Sequence, residues 1–332
     1  MRRREFIALL GSAAATIAWP LVARAQQAQR GMRRVGMLWP SLEQVPRNVK
    51  RRSAFLDRLR ELGYIDGKTI QIHERYAGGV LDRLPGLARE LVALKVDVIV
   101  AMAVAASVAA REATARVPIV MVHAGDPIDA GLIESLARPG GNVTGTTSML
   151  SDLGGKQVEI LHQVVPLARR VAFLSNPTNA ATPPTVQSAV DAAQLLGLEL
   201  VVVDVVARQD FEPAFARIEQ SQAEALLVIV DPLISNNGKA VIAFAARRRL
   251  PALYTIGDLV RDGGLMSYST NLDVHYPRAA DYVDKILKGA SPADLPVEQP
   301  VGFETLVNLK TARALNLELP PIFLASADEV IE

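Results

Sequence analysis

The side chains of this 332-residue chain that could hold a small molecule follow its predicted strands. A parallel sheet brings the carboxyl ends of its strands to one edge, and ligands of such sheets bind there. Rings, hydroxyls, amides and carboxylates at these ends can stack on an organic solute or hydrogen-bond it. The candidate ligand residues are Trp39, Ser41, Met102, Val104, Ala105, His123, Asp126, Asn176, Asn179, Asp231, Tyr254, Ile256 and Tyr268.

Three of these residues have structural interpretations beside the functional one. Trp39 can be a core ring, or it can be a flat wall for a ligand at the end of a strand. Asp126 and Asp231 each precede a proline, which is typical of turns in which the aspartate accepts hydrogen bonds from the following backbone. The alternative for both is a site that binds a ligand amine.

Three further residues leave the same choice open, and one helix start suggests a specific contact. Asn176 and Asn179 can cap the next helix or hydrogen-bond a ligand, and His123 can be a half-buried structural histidine or a base. The helix predicted after Met102 offers free N–H groups and a positive dipole end, which suit a carboxylate.

Motifs of catalysis and cofactor binding do not occur in the sequence. It has no G-x-S-x-G, no G-x-G-x-x-G and no G-x-x-x-x-G-K-[ST]. The four histidines (His73, His123, His162 and His275) lack the spacing of a metal-binding helix, and the chain has no cysteine. We therefore expect a binding protein with no catalytic residues, no metal site and no cofactor.

Composition and charge are those of an ordinary globular protein. Hydrophobic residues make up 50%, charged residues 21%, and the formal net charge is +1. Residues 1–25 hold four arginines and one glutamate, so the rest of the chain carries a net charge of −2. A chain without a basic surplus is not expected to bind nucleic acid.

The first 25 residues have the layout of a secretory signal peptide. A basic start precedes an apolar run over residues 7–19, and Ala23-Arg24-Ala25 is a small-x-small site, so cleavage is expected before Gln26. Arg3-Arg4-Glu5-Phe6-Ile7 fits the twin-arginine export pattern; ordinary secretory export and a retained N-terminal helix are the alternatives. The mature protein is expected in the periplasm.

The remaining chain alternates predicted strands and helices in two similar series. The strands opening at Val35 and Val171 lie 136 positions apart, and those opening at Pro118 and Pro251 lie 133 apart. A nearly constant offset indicates two lobes of one architecture, although ordinary β/α alternation could mimic it.

The predicted fold class is α/β: two doubly wound parallel-sheet lobes joined by a multi-crossover hinge. Residues 33–145 plus about 270–295 are assigned to lobe 1, and 146–268 plus about 300–332 to lobe 2. The glycines of Pro139–Gly145 and Gly263–Tyr268 are predicted to carry crossings between the lobes.

Several segments between the opening Val35-Gly36 strand and the C-terminus form a recognisable set. They include Leu62-Gly63-Tyr64, LKVDVIV (94–100), SLARPGGNVTG (135–145), GGLMSY (263–268), GASPADLPVEQP (289–300) and NLKTARALNLELPP (308–321). With these segments the chain resembles the ABC transporter substrate-binding family of the type I periplasmic-binding fold, in particular its tryptophan/tyrosine-type group.

The resemblance implies a protein that closes around a small organic solute and delivers it to an ABC permease, and we expect it to be a monomer. Relatives often carry a Gly-Gly-Thr loop after the third strand, where this chain has Ala101 to Ala106. The missing hydroxyl favours a less polar ligand, such as an aromatic or carboxylate compound. A sensory module for a signalling receptor and an exported enzyme are the alternative functions.

Overall fold

Two lobes, each built on one β-sheet, make up the part of the chain that the computed structural model describes, residues 32–148, 153–300 and 302–332. The predicted signal peptide and its cleavage site before Gln26 lie outside these ranges. Within them, no helix has both the length and the apolar character that crossing a membrane requires.

The first lobe contains five parallel strands with helices on both faces. The strands are β1 (Arg33–Trp39), β2 (Ile70–Tyr76), β3 (Val98–Met102), β4 (Ile119–Ala124) and β5 (Val143–Thr147), in the spatial order β2-β1-β3-β4-β5. The helices are α1 (Pro46–Glu61), α2 (Leu84–Ala93) and α3 (Ala103–Ala113). Strands β3 and β5 are buried at every position, as strands of a sheet covered on both faces must be.

The second lobe has a seven-stranded sheet. Its strands are β6 (Arg170–Ser175), β7 (Glu199–Asp204), β8 (Ala225–Val228), β9 (Ala252–Tyr254), β10 (Met266–Ser269), β11 (Glu304–Asn308) and β12 (Glu329–Ile331). Its helices are α4 (Leu153–Val164), α5 (Thr182–Leu195), α6 (Phe211–Gln220), α7 (Pro232–Asn236), α8 (Gly238–Arg248) and α9 (Gly257–Arg261). The spatial order is β12-β11-β10-β9-β8-β6-β7, and only the pair β10–β11 is antiparallel among the described strand pairs.

The tail of the chain returns to both lobes. Helix α10 (His275–Leu287) packs on the first sheet, where Ala279, Ala280 and Val283 join the buried cluster that includes Phe55 and Leu59 of α1. Helices α11 (Leu309–Leu315) and α12 (Pro321–Ala325) then accompany β11 and β12 in the second lobe.

The strand orders confirm the predicted fold class. The order β2-β1-β3-β4-β5 of the first lobe recurs as β7-β6-β8-β9-β10 in the second. The two series therefore have the same topology, and the carboxyl ends of corresponding strands form corresponding edges. The second lobe departs from a purely parallel arrangement after the chain re-enters it, because β11 and its parallel neighbour β12 run opposite to the other five described strands.

The positions predicted for two crossings are wrong. Residues 139–145 lead into β5, where Val143 pairs with Ile119 and Gly145 with Met121 of β4. Residues 263–268 likewise lead into β10. The chain instead leaves the first lobe after Ser148, returns between β10 and α10, and leaves again between α10 and β11. Gly145 within β5 and Gly264 before β10 serve close packing, since a Cβ atom there would lie 2.1 Å from the carbonyl oxygen of Met121 and 2.4 Å from the ring of Tyr254. The crossings follow these two strands.

Candidate ligand-binding site

A cavity lies between the lobes. Its first-lobe walls come from the segments after β1, β3 and β4, and its second-lobe walls from the segments after β6, β8 and β9. The carboxyl ends of the two sheets therefore face each other across it. Eight of the predicted ligand residues line it: Trp39, Ser41, Met102, Val104, His123, Asn179, Asp231 and Ile256.

One wall is an aromatic stack of Tyr76, Trp39 and Tyr276. Trp39 ends β1 and pairs with Tyr76 at the end of β2, while Tyr276 lies in the first turn of α10. The ring centroids of Trp39 lie 5.8 Å from those of Tyr76 and 5.9 Å from those of Tyr276, with interplanar angles of 8° and 13°. Trp39 and Tyr276 both line the cavity, so the stack presents a rigid, largely apolar surface to a solute.

His123 supports this stack from the end of β4. Its Nε2 lies 3.2 Å from the hydroxyl of Tyr276, and its backbone has a φ of 44°, in the left-handed region. Burial, together with the neighbouring His275 and Arg51, lowers the pKa of His123 to about 3. The imidazole is therefore neutral at physiological pH, which suits a role in orienting Tyr276 rather than in transferring a proton.

Asp231 forms the turn that was one of the two interpretations of its sequence, and it is also part of the cavity lining. It lines the cavity, and it also caps α7, because its Oδ1 accepts from the backbone N–H of Leu233 and Ile234 at 2.8 and 3.2 Å. Asn176 donates to Oδ1 at 3.2 Å and Asn179 to Oδ2 at 3.0 Å. Burial raises the pKa of Asp231 in spite of these four donors.

The start of α3 provides backbone donors at the end of β3. Met102 is its N-terminal capping residue and makes no side-chain cap, and Ala103 has a φ of 63°. Ala103 and Val104 line the cavity, so N–H groups of the first helical turn are close to it. The nearest hydroxyl, that of Ser107, donates to the carbonyl of Ala103 at 2.8 Å and does not line the cavity.

Five of the predicted ligand residues do not line the cavity, which corrects the prediction for them. Asp126 forms the turn instead, since its Oδ1 accepts from the N–H of Ile128 and Asp129 at 3.0 and 3.1 Å. Asn176 donates a hydrogen bond to Asp231 and does not itself line the cavity. The other three pack elsewhere: Ala105 against the first-lobe core, Tyr254 inside the second-lobe core at 1% exposure, and Tyr268 against the ring of Phe303.

A charged clasp, formed by Arg47, Lys50, Arg51, Asp258 and Asp273, joins the lobes beside the cavity. Arg51 donates from Nη2 to Asp258 of α9 and from Nε to Asp273 of the second crossing, both at 2.8 Å. Lys50 lies 2.6 Å from Asp273, and Arg47 donates to the carbonyl of Ser235 at 2.8 Å. Helix α1 of the first lobe therefore contacts the second lobe directly.

Residues 44–331 match the model of a family described as "ABC transporter substrate binding protein". The chain belongs to this family. The match begins after β1 and runs through the rest of the first lobe, the second lobe and the returning tail.

Two kinds of relative accompany the family match. A "Tyrosine-binding protein" of Clostridioides difficile is 28% identical over 269 residues, which cover 81% of this chain and 77% of that protein. The crystal structure of an ABC domain in complex with L-Trp from Streptococcus pneumoniae has a TM-score of 0.83 and 25% identity, covering 91% of this chain and all of that one (100%). A conserved domain protein from Vibrio cholerae has a TM-score of 0.82 and 25% identity, covering 90% and 99% of the two chains.

Sequence reasoning missed the cavity residues of this substrate-binding protein that lie on helices. Arg47, Asn48 and Arg51 come from α1, and Tyr276 comes from α10. The rule that ligands bind at strand ends does not include residues on helices that reach over the sheet edge. The available signal was the four basic residues between positions 47 and 52. An amphipathic helix turns an apolar face toward its own domain, so this many charges in one segment indicate a partner elsewhere.

Proposed function

We propose that the protein captures a small organic solute that is aromatic, carboxylate-bearing or amino-acid-like, and hands it unchanged to an ABC permease of the inner membrane. The observation that carries this proposal is a cavity lined by strand ends of both lobes, with the aromatic stack as one wall.

The position of the cavity between the lobes supports capture by closure. A solute that contacts Trp39 on one side and Asp231 on the other binds the closed form more tightly than the open form. Only such a difference in affinity shifts a population from open to closed. The hinge of several chain crossings is the element about which the lobes would move.

The relatives support the aromatic class of ligand. One is described as binding tyrosine and another was crystallised with L-Trp. An aromatic ring of either kind would find a flat partner in Trp39 and Tyr276. The apolar lining by Met102, Val104 and Ile256 would surround it.

We further propose that the protein acts in the periplasm, as a monomer. The basic start, apolar run and Ala23-Arg24-Ala25 site of the first 25 residues support export, with cleavage before Gln26. The pair Arg3-Arg4 supports the twin-arginine route, by which the protein would cross the membrane folded.

The test is a thermal-shift and calorimetric screen of the mature protein against L-tryptophan, L-tyrosine, L-phenylalanine, indole-3-acetate and non-aromatic amino acids. A ligand at about a hundred times its Kd stabilises the native state by about 2.7 kcal/mol, so Tm increases by several degrees. Mass spectrometry should recover the bound compound unchanged. No shift with any compound, or conversion of the bound one, would contradict the proposal.

A further inference from the structure

One residue of the cavity lining has a buried hydrogen-bond donor for which the described protein provides no acceptor. The side chain of Trp39 is 1% exposed and lines the cavity, and its indole Nε1 has no hydrogen-bond partner. A buried N–H group without a partner costs free energy. An acceptor atom on the solute would remove this cost.

Arg47 adds a positive charge that is only partly compensated. Its side chain is 15% exposed and lines the cavity. Its nearest carboxylate oxygen, Oδ2 of Asp258, is 3.9 Å from Nε, and the same oxygen already accepts from Arg51 at 2.8 Å. Burial lowers the pKa of Arg47 from its usual value, as expected for a cation that has lost water without gaining a close anion.

The other charged groups of the lining have their partners. Among the described residues that line the cavity, the charged ones are Arg47, Arg51 and Asp231. Arg51 is held by two carboxylates at 2.8 Å, and Asp231 accepts four hydrogen bonds. Arg47 is therefore the charged group of the lining with donor capacity left for a solute.

From this arrangement we infer that the site selects solutes that carry a carboxylate, and that Arg47 is the residue that recognises its negative charge. This inference rests on the proposed function and names the charge of its ligand. A guanidinium can donate two parallel hydrogen bonds to one carboxylate, and the indole N–H of Trp39 is a further donor on the same lobe. Because Arg47 also donates to Ser235 of the second lobe, an anion bound there joins both lobes and favours closure.

The decisive experiment compares acids with their amides, which have the same shape but differ in charge. The probes are L-tryptophan with L-tryptophanamide, and indole-3-acetate with indole-3-acetamide, measured by isothermal titration calorimetry. The wild-type protein should bind each acid about 10- to 100-fold more tightly than its amide, as is typical of hydrogen bonds to charged groups.

Variants of Arg47 assign this preference to one side chain. Arg47→Gln should weaken binding of the acids about 10- to 100-fold and change binding of the amides less than threefold. Arg47→Lys keeps the charge and should retain part of the preference. Arg89→Gln, at an exposed position of α2, is the matched control and should bind both members of each pair as the wild type does.

Two results would overturn the inference while leaving the proposed function intact. One is equal binding of acid and amide by the wild-type protein. The other is an equal loss of both in Arg47→Gln, which would show that Arg47 acts only in closing the lobes. Absence of binding by every probe and every amino acid of the screen would instead contradict the proposed function, and this inference with it.

Discussion

At the level of single side chains, Trp39 gives the cavity two different kinds of contact. Its ring face belongs to the aromatic stack, and its buried Nε1 has no protein acceptor. The ring contributes apolar area and stacking, while the N–H contributes one directional hydrogen bond. The two contributions can be separated because phenylalanine keeps a ring and lacks the N–H.

Trp39→Phe should weaken binding of L-tryptophan about five- to tenfold, the usual effect of losing one hydrogen bond. Trp39→Leu removes the ring as well and should weaken binding about 100-fold, since stacking and buried area are lost together. Titration calorimetry measures both effects, and far-ultraviolet circular dichroism checks that each variant is folded. Wild-type affinity in the leucine variant would show that the stack belongs to the core and not to the site.

At the level of elements, close contact between β4 and β5 determines where the first lobe ends. Gly145 has a φ of 131°, and a Cβ atom at this position would lie 2.1 Å from the carbonyl oxygen of Met121. Only glycine allows this approach without backbone movement. His123 lies two residues beyond Met121, so the register of β5 also fixes the strand end that supports Tyr276.

Gly145→Ala should therefore lower the free energy of unfolding by about 2–4 kcal/mol, through steric overlap and an unfavourable φ. Gly141→Ala is the matched control in the same motif. It is exposed, and its Cβ would meet nothing within 4 Å, so its stability should stay within about 0.5 kcal/mol of the wild type. Urea unfolding followed by circular dichroism measures both, and equal stabilities would refute the packing role of Gly145.

At the level of the whole molecule, the charged clasp links the two lobes independently of any solute. Arg51 is the central member, with a side chain 7% exposed and carboxylates from α9 and the second crossing at 2.8 Å. Its guanidinium also lies 5.8 Å from the ring centroid of Tyr276. Arg51 therefore contacts both Asp258 of the second lobe and the aromatic stack of the first lobe.

Asp258→Asn should shift the ligand-free protein toward the open form, because Arg51 loses one of its two charged partners in the closed form. Small-angle X-ray scattering should show a larger radius of gyration, and affinity for L-tryptophan should fall about tenfold. Asp57→Asn, which breaks an exposed ion pair with Arg60, is the control and should change neither quantity. An unchanged radius together with unchanged affinity would contradict the role of the clasp.

The order of strands and helices could be predicted from the sequence because it depends on local periodicity. Strands such as β3 are continuous apolar runs, and helices such as α6 repeat their apolar positions every three or four residues. The constant offset between the two series indicated two lobes, and the repeated strand order confirms it. The crossings were misplaced because a glycine-rich segment looks the same whether it permits a turn or a close approach of two strands.

Part of the candidate site could also be predicted from local sequence patterns. In any parallel sheet the residue after a strand lies at the ligand-binding edge, and this rule found Trp39 and Asp231 without knowledge of the packing. Asn179 lines the cavity, whereas Asp126 forms a turn. The difference depends on hydrogen bonds that the sequence does not specify.

The sequence by itself determined the α/β class, the duplication and the edge at which a ligand would bind, because these follow from patterns within a few residues or between similar segments. Only the tertiary structure brought α1 and α10 over that edge and placed Arg47, Arg51 and Tyr276 beside Trp39. Arg51 contacts Asp258 and Asp273 from more than 200 residues away in the sequence. The energy of these contacts comes from burial and charge pairing that exist only once both lobes are folded and facing each other.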